Sequence, residues 1–140
     1  MKTITVLLFS LAALFSTLPV FAADAAEAPG VVAEKFFAGY LAQVEADKDT
    51  KAWVAKSKLA SKEFKAAYKK AMSAEEIEAD AVTQAQDTPT SPFKAGEPVI
   101  KDTKATVTLT AKFGDDAHKV NVQLVQQEGA WLIQKITLAE

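Results

Sequence analysis

The chain has 140 residues, one histidine, no cysteine, no arginine and a formal net charge of −2 at pH 7. That composition excludes a disulfide framework, a thiol nucleophile, a thiolate metal site and a multi-histidine zinc site. It also argues against nucleic-acid recognition, because arginine is the preferred bidentate reader of phosphates and guanine edges and the balance here is acidic.

Met1-Lys2-Thr3-Ile4 carries one positive charge, Thr5 to Leu18 is almost wholly apolar, and Pro19-Val20-Phe21-Ala22 ends in small residues. This is the pattern of a secretory signal, with cleavage expected after Ala22 and after Ala23 as the alternative. No cysteine follows the cut, so a released rather than lipidated product is expected, periplasmic or secreted. Residues 1–22 are then the signal peptide, 23–29 a flexible leader, and 30–140 a single domain that must rely on its core.

Pro29 suits the first turn of a helix. From Val31 onward, Val32, Phe36, Phe37, Tyr40, Leu41 and Val44 form a helical apolar stripe. Asp47-Lys48-Asp49-Thr50 ends it, and Asp49 or Thr50 is placed to cap a short helical turn at Lys51–Ala55 carrying Trp53 and Val54. Ser61 is placed to cap a further helix reaching Met72, with Phe64, Ala67, Tyr68, Ala71 and Met72 at three- and four-residue spacing. Ser73-Ala74-Glu75-Glu76 has capping-box spacing, which predicts another helical segment carrying Ile77. Lysines cluster from Lys48 to Lys70, ahead of an acidic stretch from Glu75 to Asp87. They read as a solvated helix face, with an anionic partner or membrane surface as the sharper alternative.

Asp87-Thr88-Pro89-Thr90-Ser91-Pro92 is a loop, since two prolines remove donors and bias their neighbours to extended shapes. Beyond it the period becomes two. A less defined strand is expected around Glu97–Lys101, and a clear one over Ala105–Phe113. A third covers Val120–Leu124 and a last one starts at Trp131, with turns at Gly114–Ala117 and Gln127–Gly129. The sum is an α+β domain: N-terminal helices packed on a curved antiparallel sheet of three to four strands.

The closing segment Glu128-Gly129-Ala130-Trp131-Leu132-Ile133-Gln134-Lys135-Ile136 resembles the last hairpin of the nuclear transport factor 2-like superfamily, also called cystatin-like in fold. Within it, the helix Val31-Val32-Ala33-Glu34-Lys35-Phe36-Phe37-Ala38-Gly39-Tyr40-Leu41 and the junction Asp80-Ala81-Val82-Thr83-Gln84-Ala85-Gln86-Asp87 are similar to those of secreted bacterial domains of unknown function. The resemblance implies a cone-like fold with an internal cavity. It implies no activity, because one fold hosts many functions.

For chemistry, His118 is the one histidine, beside the Asp115-Asp116 turn, and reads as a hairpin-edge residue. The five glycines are scattered, so no phosphate-cradling loop is present. The candidate ligand-binding residues are Asp80, Gln84, Gln86 and Asp87. If their segment were helical, Asp80 and Asp87 would lie near one face two turns apart, with Gln84 between them. A carboxylate in an apolar cone can act as a base; the alternative is that these side chains turn the chain and bond to backbone. No catalytic residue, metal or cofactor is assigned. Three readings follow: a non-enzymatic domain binding a small apolar ligand or a protein; a cavity enzyme of isomerase or dehydratase type using Asp80 or Asp87; and a periplasmic inhibitor or immunity-type protein. The last would use the polar sheet face of Thr106, Thr108, Thr110, Asn121 and Gln123, a face that also allows a homodimer.

Overall fold

The first helix, α1 (Pro29–Glu45), enters through Pro29 at its first position and has no side-chain cap. It is held instead by its stripe: Val32, Ala33, Phe36, Phe37 and Tyr40 are all buried. The computed structural model describes residues 26–140; the expected signal peptide and its cleavage site lie outside the described residues. In α2 (Thr50–Lys56) the cap is Asp49, whose carboxylate accepts from the Ala52 amide at 3.0 Å. In α3 (Lys62–Ala71) it is Ser61, whose hydroxyl accepts from the Phe64 amide at 3.1 Å. Each cap satisfies one of the donors that a helix start leaves open.

The three helices meet over aromatic rings. Phe36 of α1 lies 5.4 Å from Trp53 of α2 and 5.5 Å from Phe64 of α3, centroid to centroid. Gly39 makes the α1–α2 approach possible. A β-carbon there would sit 2.6 Å from Trp53 Cζ2, well inside contact distance, so the indole rests directly on the helix backbone.

The helical segment expected from Ser73 does not form. Residues 72–93 contain neither helix nor strand. A capping box lowers the cost of starting a helix, but a short helix persists only when one face is buried. Here Ser73 to Ala79 are all exposed, and Ile77 is 49% exposed. With no apolar stripe to pack, the capping signal has nothing to stabilise.

Five strands complete the domain: β1 (Lys94–Ala95), β2 (Val99–Lys101), β3 (Lys104–Phe113), β4 (Asp116–Gln127) and β5 (Ala130–Leu138). The sheet runs β1-β3-β4-β5, and β2 also pairs with β3, every pairing antiparallel. Two short strands thus share one edge of β3 in place of a single longer one. Gly114 and Gly129 take positive φ values of 64° and 80° in the two-residue turns joining β3 to β4 and β4 to β5, the backbone shape tight hairpins require. A bulge at Gln123/Leu124 shifts the β4–β5 register, and such bulges bend a strand.

Alternation along the strands assigns the faces. Ala105, Val107, Leu109 and Ala111 of β3, and Val120, Val122 and Leu124 of β4, are buried beneath the helices. The opposite edge of the sheet is partly covered. The Ser61 amide donates to the Ile133 carbonyl at 2.9 Å, and the Ile133 amide donates to the Leu59 carbonyl at 2.8 Å. This joins the approach to α3 to the outer side of β5, and so limits a strand edge that would otherwise offer open partners.

Candidate functional site

The segment Asp80–Asp87 is a closed loop and not a helix, so the helical spacing of its two aspartates does not apply. Asp80 builds it. Its Oδ1 accepts from the amides of Val82 and Thr83, both at 2.8 Å. This is the aspartate turn in which a short carboxylate replaces a backbone acceptor. The Gln84 amide donates to the Asp80 carbonyl at 2.9 Å and the Asp80 amide to the Ala85 carbonyl at 3.0 Å, so the loop closes at both ends. Gln84 takes φ 55°, and its side-chain amide donates to the Ala81 carbonyl at 2.8 Å.

The loop is pinned to the domain at two points. Val82 and Thr83 are buried. The Thr83 carbonyl lies 2.7 Å from His118 Nε2. A carbonyl only accepts, so His118 carries its proton on Nε2. Its ring packs 4.8 Å from Phe113 and 6.4 Å from Phe93. The single histidine of the chain therefore ties the loop to β4.

The second pin is Tyr40 of α1, whose hydroxyl donates to Asp80 Oδ2. The Tyr68 hydroxyl of α3 lies 3.1 Å from that of Tyr40, and Thr50 Oγ1 of α2 lies 3.1 Å from that of Tyr68. Tyr40 donates to Asp80 and Tyr68 donates to Thr50 Oγ1, with the two phenol oxygens in contact between them. All three helices are thereby wired to one carboxylate.

Burial, and then the hydrogen bond to Asp80, push the Tyr40 phenol well above its ordinary range. The sign of the consequence is fixed. Above about pH 10 an unfolded tyrosine loses its proton while folded Tyr40 keeps it, so stability is full below pH 10 and falls as pH rises. The decline from this group is about 1.4 kcal/mol per pH unit. Urea unfolding of the parent and of Tyr40→Phe between pH 8 and 11 should show the parent more stable at pH 8 and the two converging by pH 11. A gap unchanged across that range would disprove the linkage.

Of the four candidate residues, three line one groove. Asp80, Gln86 and Asp87 border a space of about 100 Å³ together with Tyr40, Leu41 and Thr83. Gln84 does not border it. Gln86 and Asp87 are exposed at the rim. Tyr40, Tyr68 and Thr50 also belong to the site; the sequence marks the two tyrosines as core or cavity lining and Thr50 as a candidate cap, and does not show their hydroxyl contacts. Both tyrosines sit on apolar helical stripes, and spacing marks such residues as core without showing where the hydroxyl goes. Their hydroxyls supplied the only local signal, since a buried tyrosine normally finds a partner.

A second surface is the face of the sheet turned away from the helices. Direct pairing puts Thr108 beside Asn121 and Asn121 beside Thr137, and Thr106 beside Gln123. Thr108 Oγ1 donates to Asn121 Oδ1 at 2.8 Å, which fixes the centre of that face. Among the described residues no helix or strand covers it.

No protein-family model and no curated protein matches the chain. Among solved structures it is similar to a chain of the type VI effector-immunity complex Tae3-Tai3 from Ralstonia pickettii, with a TM-score of 0.66 and 15% sequence identity. The match covers 81% of this chain and 98% of that one. At that identity the likeness carries fold alone, an α+β domain with helices against an open antiparallel sheet.

Proposed function

We propose that this chain is an exported protein-binding domain of the inhibitor or immunity type, working through the open face of its sheet. The observation that carries the reading is that face itself: a largely polar surface across β3, β4 and β5, its centre fixed by the Thr108–Asn121 hydrogen bond, with no helix or strand over it among the described residues. Likeness in fold to a chain from an effector-immunity complex agrees with it. Export is supported by the signal pattern in residues 1–22; no helix among the described residues is long and apolar enough to cross a membrane. A long helix laid over an antiparallel sheet supports the resemblance to the nuclear transport factor 2-like plan.

A small-ligand or enzymatic role centred on Asp80, Gln84, Gln86 and Asp87 has less support. The Asp80 carboxylate already accepts three hydrogen bonds, and the Gln84 side chain is turned to backbone. The groove of about 100 Å³ falls below the several hundred usual for a small-molecule site. The space of about 370 Å³ that Asp80 and Gln86 also border, beside Ile77 and Glu78, is a solvent-open surface depression and not a concave cleft. The test is site-specific photocrosslinking in the cell that makes the protein. A benzophenone amino acid at Gln123 should give a discrete protein adduct, and one at Lys62 on α3 should not. Adducts from Lys62 alone, or none from Gln123, would refute the reading.

A further inference from the structure

The open face has a charge pattern that only the register reveals. Lys94, Thr110 and Lys119 form one cross-strand row. Val99, Thr106, Gln123 and Lys135 form a second, and Lys101, Lys104, Val125 and Leu132 a third. Directly paired residues share a face, and successive residues alternate between faces. Each of these rows alternates with the buried row of Ala105, Val107 and Leu109, so its lysines point away from the helices. Lys112 joins them by alternation along β3. All six lysines between residues 94 and 140 therefore lie on the open face, and all six are exposed.

None of the acids of the same stretch holds a paired strand position on that face. Glu97 lies between β1 and β2, Asp102, Asp115 and Glu128 lie in turns, and Glu140 lies at the end of the chain. Asp116 opens β4 paired to Phe113, on the opposite parity. Among the described residues none of the six lysines is in an ion pair. Lys101 and Lys104 are directly opposite one another, an arrangement of like charges that disfavours the sheet. A chain with a net negative charge thus places six lysines, and no acid at a paired strand position, on one face.

We propose that this face docks an acidic surface of a partner protein, the lysines framing a centre of Thr106, Thr108, Asn121 and Gln123. The proposal rests on the protein-binding reading and adds the partner's chemistry. Charge complementarity selects the occupant: unpaired lysines steer an anionic surface and repel a cationic one. A second copy docked face to face would set lysine against lysine. A nucleic acid would meet neither arginine nor an exposed aromatic for stacking. A membrane would meet a polar centre on which Val99 is the one strongly exposed large apolar side chain among the described residues, too little to insert.

The test titrates the folded protein with poly-L-glutamate, following backbone amides by NMR. Two triple variants are compared, each first shown to keep the parent's unfolding midpoint: Lys104→Glu/Lys119→Glu/Lys135→Glu on the open face and Lys62→Glu/Lys69→Glu/Lys70→Glu on α3. Shifts are expected in β3, β4 and β5, with affinity lowered at least tenfold by the sheet variant and no more than twofold by the α3 variant. Equal losses in both variants would overturn the proposal. So would shifts centred on α3, tighter lysine-dependent binding to duplex DNA or phosphatidylglycerol vesicles, or dimerisation through this face. The photocrosslink at Gln123 separates the two levels. An adduct that survives the sheet variant defeats the acidic-partner proposal and leaves protein binding standing; no adduct in the parent defeats protein binding itself.

Discussion

Phe36→Ala is expected to lower the unfolding free energy by about 4 kcal/mol, within the range measured for removing a buried aromatic side chain. Phe36 is fully buried. Its ring meets Phe37 and Phe64 edge-on, at 71° and 88°, and Trp53 at a tilt. It is the point where α1, α2 and α3 share one contact. Two losses combine: the transfer free energy of the ring, and the cavity left when helices anchored by their caps and by the β5 edge cannot close on it. Urea unfolding monitored by circular dichroism would measure it, and in heat the midpoint should fall by roughly 15 °C. Phe36→Leu, which keeps most of the volume, should lose under half as much. Equal losses for the two substitutions would show that ring geometry, and not filled volume, is what matters there.

Asp80→Ala is expected to cost about 3 kcal/mol, although Asp80 is only half-buried and sits in a loop. The carboxylate accepts from two amides and one buried phenol. Removing it leaves the buried Tyr40 hydroxyl and the amides of the buried Val82 and Thr83 without their acceptor. Orphaned donors of this kind lose more than the net worth of a hydrogen bond. Asp80→Asn should recover part of the loss, because its carbonyl oxygen can accept on one side but no longer as an anion. Hydrogen exchange at Val82 and Thr83 checks the cause: both amides should lose protection in Asp80→Ala and keep most of it in Asp80→Asn. Unchanged protection would place the stabilising role of Asp80 elsewhere.

Much of the fold was legible in local pattern. The α1 stripe, the Asp49 and Ser61 caps, the alternation of β3 and β4 and the glycine turns each depend on residues within a few positions of one another. The expected helix from Ser73 failed for a complementary reason. Its capping box is local, but its stability required a buried face that the surrounding elements do not provide. The candidate site was legible in part. Asp80, Gln86 and Asp87 do meet at one groove, whereas Gln84 is turned to backbone by its own left-handed conformation. Tyr40 was readable as core and not as the donor that holds Asp80, because that contact spans 40 positions.

Short-range information was enough for the order of helices then strands and for most buried positions of α1, β3 and β4, since both follow from periodicity and capping over a single turn or strand. By contrast, Val44, Ala67 and Ala71 of the expected stripes are exposed, and Val82 and Phe93 are buried from segments without a period. Periodicity says only that a side chain faces inward or outward. Which inward hydroxyl meets which carboxylate, and which outward lysines share a surface, depend on register between strands and on how helices dock. Those are long-range choices made by packing. The Thr50–Tyr68–Tyr40–Asp80 chain and the six-lysine face are therefore properties of the assembled tertiary structure, although every residue in them stands in plain view in the sequence.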